Sequence, residues 1–420
     1  MSRIIFHVDV NSAFLSWTAV KRLKENPGCV DLRTIPSVVG GDVKTRHGIV
    51  TAKSIPAKKY GIQTAEPINS ALQKCPSLVV VPSDFKTYRE YSHAFIEILR
   101  GFSEILEQVS IDEAYVDVTD LRSIYDSPDF PLNVAADIRG RIRNELGFTV
   151  NVGISTNKLL AKMASDFSKP DKTHTLYPDE IRDKMWPLDI GDLYGCGRKT
   201  AEKLRTVGIR TIGDAALYDR ELIISLLGEK SGEYIHRSAN GQGSDRVSVL
   251  REEPKSYSNE ITTKNDITAD NFTSDLPPIL RHLSDKVSGR LKRDGVFGQV
   301  VNVQVKTSEF KRFSRQMKLD QSTNDSDVIY QNAMTLLLSL LDGPEGLFQS
   351  DTRIRLVGVG MDHLDKGEYR QENLFDWMAT GQAMVRMEKE KREKEDRLGE
   401  MERKLRGRFG DGIIHKGVRD

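Results

Sequence analysis

Three carboxylates stand in two segments that read as β-strands, and such groups can hold hard metal ions. Asp9 lies near the end of the apolar segment IIFHVDV, and Asp112 and Glu113 lie within VSIDEAYVDV. One such carboxylate is ordinarily a solvated strand end, but carboxylates that meet on neighbouring strands form an oxygen site suited to magnesium. Because side chains alternate along a strand, spacing supports Asp9 with Asp112 better than it supports Glu113.

Basic residues that could meet phosphates lie in two further segments. Lys53, Lys58 and Lys59 fall in TAKSIPAKKYG, and Lys169 falls in SKPD. Isolated lysines are usually surface groups. They indicate a triphosphate site only if a metal site lies beside them, since a nucleoside triphosphate needs positive charge around its outer oxygens.

The segment LYGCGRKTAEKLRTVGIRTIGDA (193–215) is typical of a helix-hairpin-helix. Gly195 and Gly197 permit a tight turn, whose backbone N–H groups beside a helix N-terminus can hold a DNA phosphate. Arg198 and Lys199 add positive charge to that turn. The motif therefore predicts contact with the DNA backbone without reading of the base sequence.

The net charge of +1 identifies no partner, but the distribution of charge is uneven. Between Arg281 and Lys318 there are ten Lys or Arg against three acids. The cluster covers a helix-like and a strand-like stretch, and it is either a solvated basic face or a surface for a polyanion. Lys311, Arg312 and Arg315 are its candidate DNA contacts.

QENLF (371–375) follows the last globular strand and precedes a charged tail. Leu374 and Phe375 are apolar residues in a polar segment, with Gln371 three positions before the pair. They are either a hydrophobic staple onto the preceding domain or a short linear motif that docks into a partner's pocket.

The elements that must position these groups alternate along the chain. After IIFHVDV, the patterns predict a helix over 86–108, a strand over 109–118, a helix over 133–146 and a strand over 148–155. The helical segment NKLLAKMASDF follows and ends before a proline. This alternation predicts a mixed α/β layer in which two helices cover one sheet.

Composition limits the class of protein. The chain has 420 residues, 38% hydrophobic and 29% charged, which is typical of a globular protein with roughly two to four domains. No apolar run is long enough to span a membrane, and His7 and Asp9 interrupt the N-terminal segment where a signal peptide would need apolar residues. Three cysteines without a CxxC pair exclude a disulfide framework and a cysteine-based zinc site. We therefore expect a cytoplasmic protein with no membrane segment.

Taken in order, these motifs resemble a known family. HVDVNSAF, VSIDEAYVDV, VGISTNKLLAKMASDFSKP and GCGRKTAEKLRTVGI are similar to the motifs of Y-family translesion DNA polymerases, nearest the bacterial DinB/UmuC group. The resemblance covers about residues 3–361, and SIDEAY followed by the NK…AK…SKP block is highly specific. QENLF resembles the motif by which bacterial polymerases bind the sliding clamp.

The resemblance implies a right-hand polymerase in several parts. The palm, of ferredoxin-like α+β type, would comprise residues 1–12 and 81–172, and the fingers residues 13–80. A helix-hairpin-helix thumb over 173–241, a DNA-binding little finger over 247–361 and a tail with the clamp motif over 362–420 would follow. The implied function is template-directed, low-fidelity synthesis without proofreading, by a nucleoid-associated monomer that acts on primer-template DNA and dNTPs.

The resemblance also implies a set of metal ligands. Two magnesium ions would be held, one by Asp9, the Val10 carbonyl and Asp112, and the other by Asp9, Asp112 and Glu113. One ion would lower the pKa of the primer 3′-hydroxyl, and the other would neutralise the leaving pyrophosphate. The resemblance thus includes Glu113 in the site, although strand alternation alone does not favour it.

Nucleotide contacts are implied in the same way. Lys58 and Lys169 match triphosphate-binding positions, and Phe14 matches the aromatic steric gate that rejects a 2′-hydroxyl. The chain departs from the family pattern at Ala13, where an aromatic residue is frequent, and at Asn11, where Asp is common in DinB-like members.

The TANYEAR-like segment departs as well. Ile55 replaces the family's Tyr, and Lys58 replaces its Arg, which keeps the charge but loses the bidentate fork. Together the departures look more UmuC-like than DinB-like. They leave the three carboxylates unchanged.

Two other functions are compatible with parts of the pattern. A non-catalytic DNA-binding subunit of the same fold would not need the intact Asp9, Asp112 and Glu113. Another palm-fold enzyme, such as a nucleotide cyclase, would not need a helix-hairpin-helix and a basic domain. The complete set of motifs therefore favours the polymerase.

Overall fold

The computed structural model describes residues 2–41, 48–250 and 253–367, and tail positions 394, 397, 399–401 and 404. QENLF lies outside the described residues, so the prediction for Gln371, Leu374 and Phe375 stays a prediction. No helix within the described ranges is both long and apolar enough to cross a membrane. The chain forms two compact units, Met1–Glu253 and Pro254–Asp420.

The strands and α-helices of the described residues are as follows. The strands are β1 (Ile5–Val10), β2 (Ser37–Gly40), β3 (Val50–Lys53), β4 (Val79–Val81), β5 (Leu106–Gln108), β6 (Glu113–Asp117), β7 (Val150–Ser155), β8 (Thr173–Thr175), β9 (Ser256–Ile267), β10 (Phe297–Thr307), β11 (Arg312–Thr323) and β12 (Ile354–Asp365). The helices are α1 (Ala13–Glu25), α2 (Ile55–Lys58), α3 (Ile68–Lys74), α4 (Phe85–Arg100), α5 (Leu132–Arg141), α6 (Lys158–Asp166), α7 (Arg198–Arg205), α8 (Ile212–Leu217), α9 (Arg220–Leu227), α10 (Glu229–Ala239), α11 (Phe272–Arg293) and α12 (Ser326–Leu341).

The first unit is built around β1. This strand lies at the centre of a five-stranded sheet in the order β5-β6-β1-β7-β8, antiparallel to both neighbours. Alternation along β1 sends Phe6, Val8 and Val10 into a core shared with α1, α4 and α5. His7 and Asp9 lie on the opposite face, which α6 covers. The expected α/β layer is present, but with helices on both faces of the sheet.

One predicted helix is wrong in its last eight residues. The apolar spacing over 86–108 indicated a single helix, whereas α4 ends at Arg100 and Leu106 belongs to strand β5. Gly101 caps the helix, and its backbone N–H still bonds to Glu97. Leu106 reaches the same core from a strand because β5 pairs with the edge of β6.

The predicted strand over 109–118 also begins later than expected, at Glu113. Ser110 accounts for the delay because its hydroxyl donates to Asp112 Oδ1 at 2.7 Å and accepts from the Asp112 N–H at 3.2 Å. Such local bonds favour a turn over a strand. Asp112 therefore precedes the strand, and the alternation argument that set it apart from Glu113 does not apply.

A close approach of α6 to β7 depends on Gly153. A Cβ atom there would lie 1.9 Å from the Ala161 carbonyl oxygen and 2.4 Å from the Ser165 nitrogen. Both neighbours are backbone atoms, so the helix would have to move to accept any other residue. The glycine thus allows Lys162 and Ser165 to lie directly over β1.

The rest of the first unit consists of two smaller layers and a connection. A three-stranded sheet, β3-β2-β4, packs with α2 and α3. The helices α7 to α10 share another hydrophobic core, to which α6 also contributes. Residues 247–250, which were predicted to begin the little finger, fall in the first unit. There Val247 packs with Ile5 and Tyr115.

The second unit is a four-stranded antiparallel sheet, β11-β10-β12-β9, with two helices on one face. Val301, Val303 and Val305 of β10 point into the core with α11 and α12. The intervening residues Asn302 and Gln304 belong to the other face of the sheet, which α11 and α12 leave open within this unit.

Candidate active site

Strand pairing brings the three predicted carboxylates together. Asp9, near the end of β1, lies opposite Glu113, the first residue of β6. The Val10 N–H donates to the Asp112 carbonyl at 3.0 Å, which joins the end of β1 to the turn before β6. Burial raises the pKa of Asp112, and the charges of Asp9 and Glu113 raise it further. The site therefore concentrates negative charge that calls for compensation.

Two lysines supply positive charge at this point. Lys162 of α6, only 8% exposed, has its ammonium 3.2 Å from Glu113 Oε1 and 3.6 Å from Asp9 Oδ2. Lys169 contacts Asp9 Oδ2 directly and lies 2.9 Å from Asp166 Oδ1. Although burial opposes the charged form, the neighbouring carboxylates raise the pKa of both lysines. Both remain ammonium groups at neutral pH.

The buried side chain of His7 lies beside Glu113. His7 Nδ1 lies 2.9 Å from the Ser165 hydroxyl, and Nε2 lies 3.5 Å from Glu113 Oε2. Burial lowers the pKa of His7, so the ring is neutral, and only its Nε2–H tautomer can face a carboxylate favourably. The nearby His7 ring and then the Lys162 ammonium hold the pKa of Glu113 well below its usual range.

The donor set fits a divalent cation. Within the described ranges, no three His, Cys, Asp or Glu side chains are already arranged as a metal-binding group. Ammonium groups contact the oxygens of Asp9 and Glu113 instead. The hard carboxylate oxygens nevertheless suit an ion such as magnesium. The positive charge of such an ion would favour the ionised form of Asp112, whose pKa is raised in its absence.

Phe14 stands in an aromatic cluster on the first turn of α1. Its ring stacks on Tyr88 of α4, with centroids 4.5 Å apart and planes 14° apart. Phe85 meets it edge-on at 6.2 Å, and Trp17 lies at 6.0 Å. The neighbouring Ala13 is buried and offers no ring. The position of the Phe14 ring therefore depends on α4.

The two predicted triphosphate lysines have different surroundings. Lys169 joins the carboxylates, whereas Lys58 is exposed at the end of α2, beside the three-stranded sheet. Burial and then the nearby Lys58 charge lower the pKa of Lys53, whose ammonium donates to the Ile62 carbonyl at 2.7 Å. Lys53 is thus engaged by the backbone, and Lys58 remains at the surface.

The predicted hairpin has the expected backbone features. Gly195 has a φ of 85°, and a Cβ atom there would lie 2.4 Å from the Tyr234 ring. Gly197 is the N-cap of α7, whose first two residues are the exposed Arg198 and Lys199. The element before the turn is a single 3₁₀ turn over Ile190–Asp192 instead of a full helix.

The three basic candidates of the second unit do not share one face. Lys311 precedes the edge strand β11 and pairs with Glu309 at 2.8 Å. Arg312 lies opposite Lys306, and Arg315 lies opposite the buried Val303. Residues three apart in a strand point to opposite faces, so Arg312 is on the open face and Arg315 is on the helix-covered side.

Sequence reasoning missed Lys162 and His7. A lysine on the buried face of an amphipathic helix was the available signal for Lys162, because its neighbours Leu159 and Met163 are apolar and buried. His7 carried a similar signal as a polar residue in an apolar strand.

Comparison with known proteins gives consistent results. The impB/mucB/samB family matches residues 8–166, the HHH motif of the same family matches 178–209, and the family's C-terminal domain matches 254–374. DNA polymerase IV of Clostridium acetobutylicum is 42% identical, over 100% of this chain and 98% of the relative. DNA polymerase IV 1 of Bacillus subtilis is 33% identical, over 99% of this chain and 93% of the relative.

A solved structure shares the fold. A Y-family DNA polymerase chimera of Dbh and Dpo4 superposes with a TM-score of 0.70 at 24% identity, over 86% of this chain and 98% of the chimera. At this identity the likeness establishes the fold alone. The predicted fold class, with a helix-hairpin-helix motif and a C-terminal sheet domain, is confirmed.

The buried position of Lys162 leads to a test of the charge balance that does not require activity. Lys162→Met should lower the stability of the protein by roughly 3 kcal/mol without divalent ions, because Glu113 loses its ammonium partner and Asp9 keeps only Lys169 of its two. Magnesium should restore part of the melting temperature, since it can replace the lost charge. Melting curves in EDTA and in magnesium measure both effects.

Lys158→Met is the matched control. Lys158 lies one turn earlier on α6 and pairs with Glu107 at 2.9 Å, away from the three carboxylates. Its loss should lower the melting temperature equally with and without magnesium. An equal response of the two variants to magnesium would contradict the charge-balance interpretation.

Proposed function

Because this chain belongs to the impB/mucB/samB family, the Y-family DNA polymerases of DinB type, and is a DNA-directed DNA polymerase, we propose that it performs low-fidelity translesion synthesis by two-metal nucleotidyl transfer. The meeting of Asp9, Asp112 and Glu113 at the ends of β1 and β6 is the observation that carries the proposal. An accessory subunit without catalysis would not need these three charges in one place.

Asp9, Asp112, Glu113 and the Val10 carbonyl would hold the two ions. When bound there, magnesium would supply activation of the primer 3′-hydroxyl and positive charge for the leaving pyrophosphate. Lys169 is the cation already beside Asp9, and we assign it to the triphosphate. Lys58, at the surface of the first unit, is assigned to the outer phosphates on the family resemblance alone.

The carboxylates are tested by their removal. Asp9→Ala and Asp112→Ala should each reduce primer extension to background, because the ions lose ligands and the phosphoryl charge is no longer screened. Glu113→Ala should be severe as well. Extension of a primed template with magnesium and single dNTPs measures the loss.

The control for this experiment is duplex binding, measured on the same variants without nucleotide. Binding should persist, because the predicted DNA contacts lie elsewhere, in the hairpin and in the second unit. Substantial extension by either aspartate variant would end the two-metal assignment.

Sugar selection is assigned to Phe14. The stacked Tyr88 ring holds the Phe14 ring in place, and the small Ala13 provides no second barrier. Phe14→Ala should therefore raise the ratio of kcat/KM for an rNTP to that for the matching dNTP, by about tenfold or more. Single-nucleotide insertion kinetics measure the ratio, and an unchanged ratio would place the gate at another residue.

DNA binding is assigned to the exposed cations Arg198 and Lys199 of the hairpin and to Lys311 and Arg312 of the second unit. Arg312→Ala should reduce the slope of log K against log salt by about 0.9 on duplexes of any sequence, since one phosphate contact is lost. Arg315→Ala is the matched control from the other face of β11 and should change the slope less. A strong dependence on base sequence would contradict this assignment.

The sliding clamp is the proposed third partner, through Gln371, Leu374 and Phe375. Burial of the two apolar side chains would contribute about 1.5–3 kcal/mol each and must exceed the cost of ordering the segment. Leu374→Ala with Phe375→Ala should keep unassisted insertion and lose stimulation by a loaded clamp on primed circular DNA. Retained stimulation together with a lowered melting temperature would favour the staple interpretation instead.

A further inference from the structure

The loop between α6 and β8 is held by side chains. Residues 168–172 form neither helix nor strand, so their polar backbone groups need other partners. The Asp171 N–H donates to Asn11 Oδ1 at 2.9 Å, and the Thr149 hydroxyl donates to the same oxygen at 2.9 Å. Asn11 follows directly after β1. It therefore ties the strand that carries Asp9 to this loop.

Asn151 of β7 makes four hydrogen bonds with its side chain. Its Nδ2 donates to the carbonyls of Ser165 and Ser168, at 3.0 and 2.7 Å. Its Oδ1 accepts from the Lys172 N–H at 3.2 Å and from Asn11 Nδ2 at 3.1 Å. An amide offers two donors and two acceptor lone pairs, so this fully buried side chain has no capacity left over.

The orientation of both amides is fixed by the loop. The N–H groups of Asp171 and Lys172 can only donate, so they select the oxygen atoms of Asn11 and Asn151. Asn11 Nδ2 must then face Asn151 Oδ1. An alanine at position 11 would lose the three hydrogen bonds of the Asn11 side chain. An aspartate would place a second acceptor against Asn151 Oδ1.

The loop carries Lys169, whose ammonium meets Asp9 and Asp166. We propose that Asn11 is a positioning residue for the incoming nucleotide, and that it fixes, together with Asn151, the loop that presents Lys169 to the triphosphate. This inference rests on the proposed role of Lys169 in the function above. It predicts that Asn11 affects nucleotide affinity more than the rate of the chemical step.

Single-turnover insertion of one nucleotide separates these quantities. Asn11→Ala should raise the apparent Kd for the dNTP by about tenfold, with a smaller change in the maximal rate. Asn11→Ala combined with Lys169→Ala should be no worse in Kd than Lys169→Ala alone, because the loop then has no cation to position. Should Asn11→Ala not fold, Asn11→Asp keeps the shape, loses the donor to Asn151 and should raise the Kd as well.

Thr149→Val is the matched control. It removes a donor to the same Asn11 oxygen but leaves the bond from Asp171 intact. It should lower the melting temperature and leave the dNTP Kd unchanged. Additive effects of Asn11→Ala and Lys169→Ala on the Kd, or a Kd for Thr149→Val as high as for Asn11→Ala, would overturn the inference. An unchanged Kd for Lys169→Ala would overturn the role of Lys169 itself, and the two failures are thus distinct.

Discussion

Repulsion among three carboxylates is the constraint on which the rest of the first unit depends. Asp9, Asp112 and Glu113 lie where two antiparallel strands end, and partial burial removes much of the water that would screen them. Their charge has to be balanced by the protein or by bound ions. In this structure α6 and the loop that follows it provide the balance through Lys162 and Lys169.

The positive charge of Lys162 reaches the carboxylates only because α6 packs closely against the sheet. A lysine ammonium can reach Asp9 and Glu113 only if α6 lies close to the sheet, and the backbone contacts at Gly153 make that approach possible. The same close packing excludes water from His7, which stays neutral and places its Nε2 atom 3.5 Å from Glu113 Oε2. Gly153 of β7 thus allows α6 to lie close enough to β1 for Lys162 to contact Asp9 and Glu113.

The sequence was sufficient to predict the elements whose signals are local. The strand with Asp9, the α6 segment and the hairpin at Gly195 follow from alternation, periodicity and turn residues. The helix expected to reach Gln108 was wrong because Leu106 fits the helical period and yet enters the core from a strand. Contacts such as Asn11 with Asn151, 140 residues apart, leave no local signal.

The choice of an uncharged side chain at position 11 follows from the same repulsion. Asn11 lies two positions from Asp9, and a carboxylate there would add a further negative charge to a site already crowded with them. An amide provides the acceptor that the Asp171 N–H needs and the donor that Asn151 needs, without any charge. The departure from the family pattern at position 11 is therefore consistent with its surroundings. The neutral amides of Asn11 and Asn151 thus hold the loop that carries Lys169, beside the ion pair of Arg139 with Asp171.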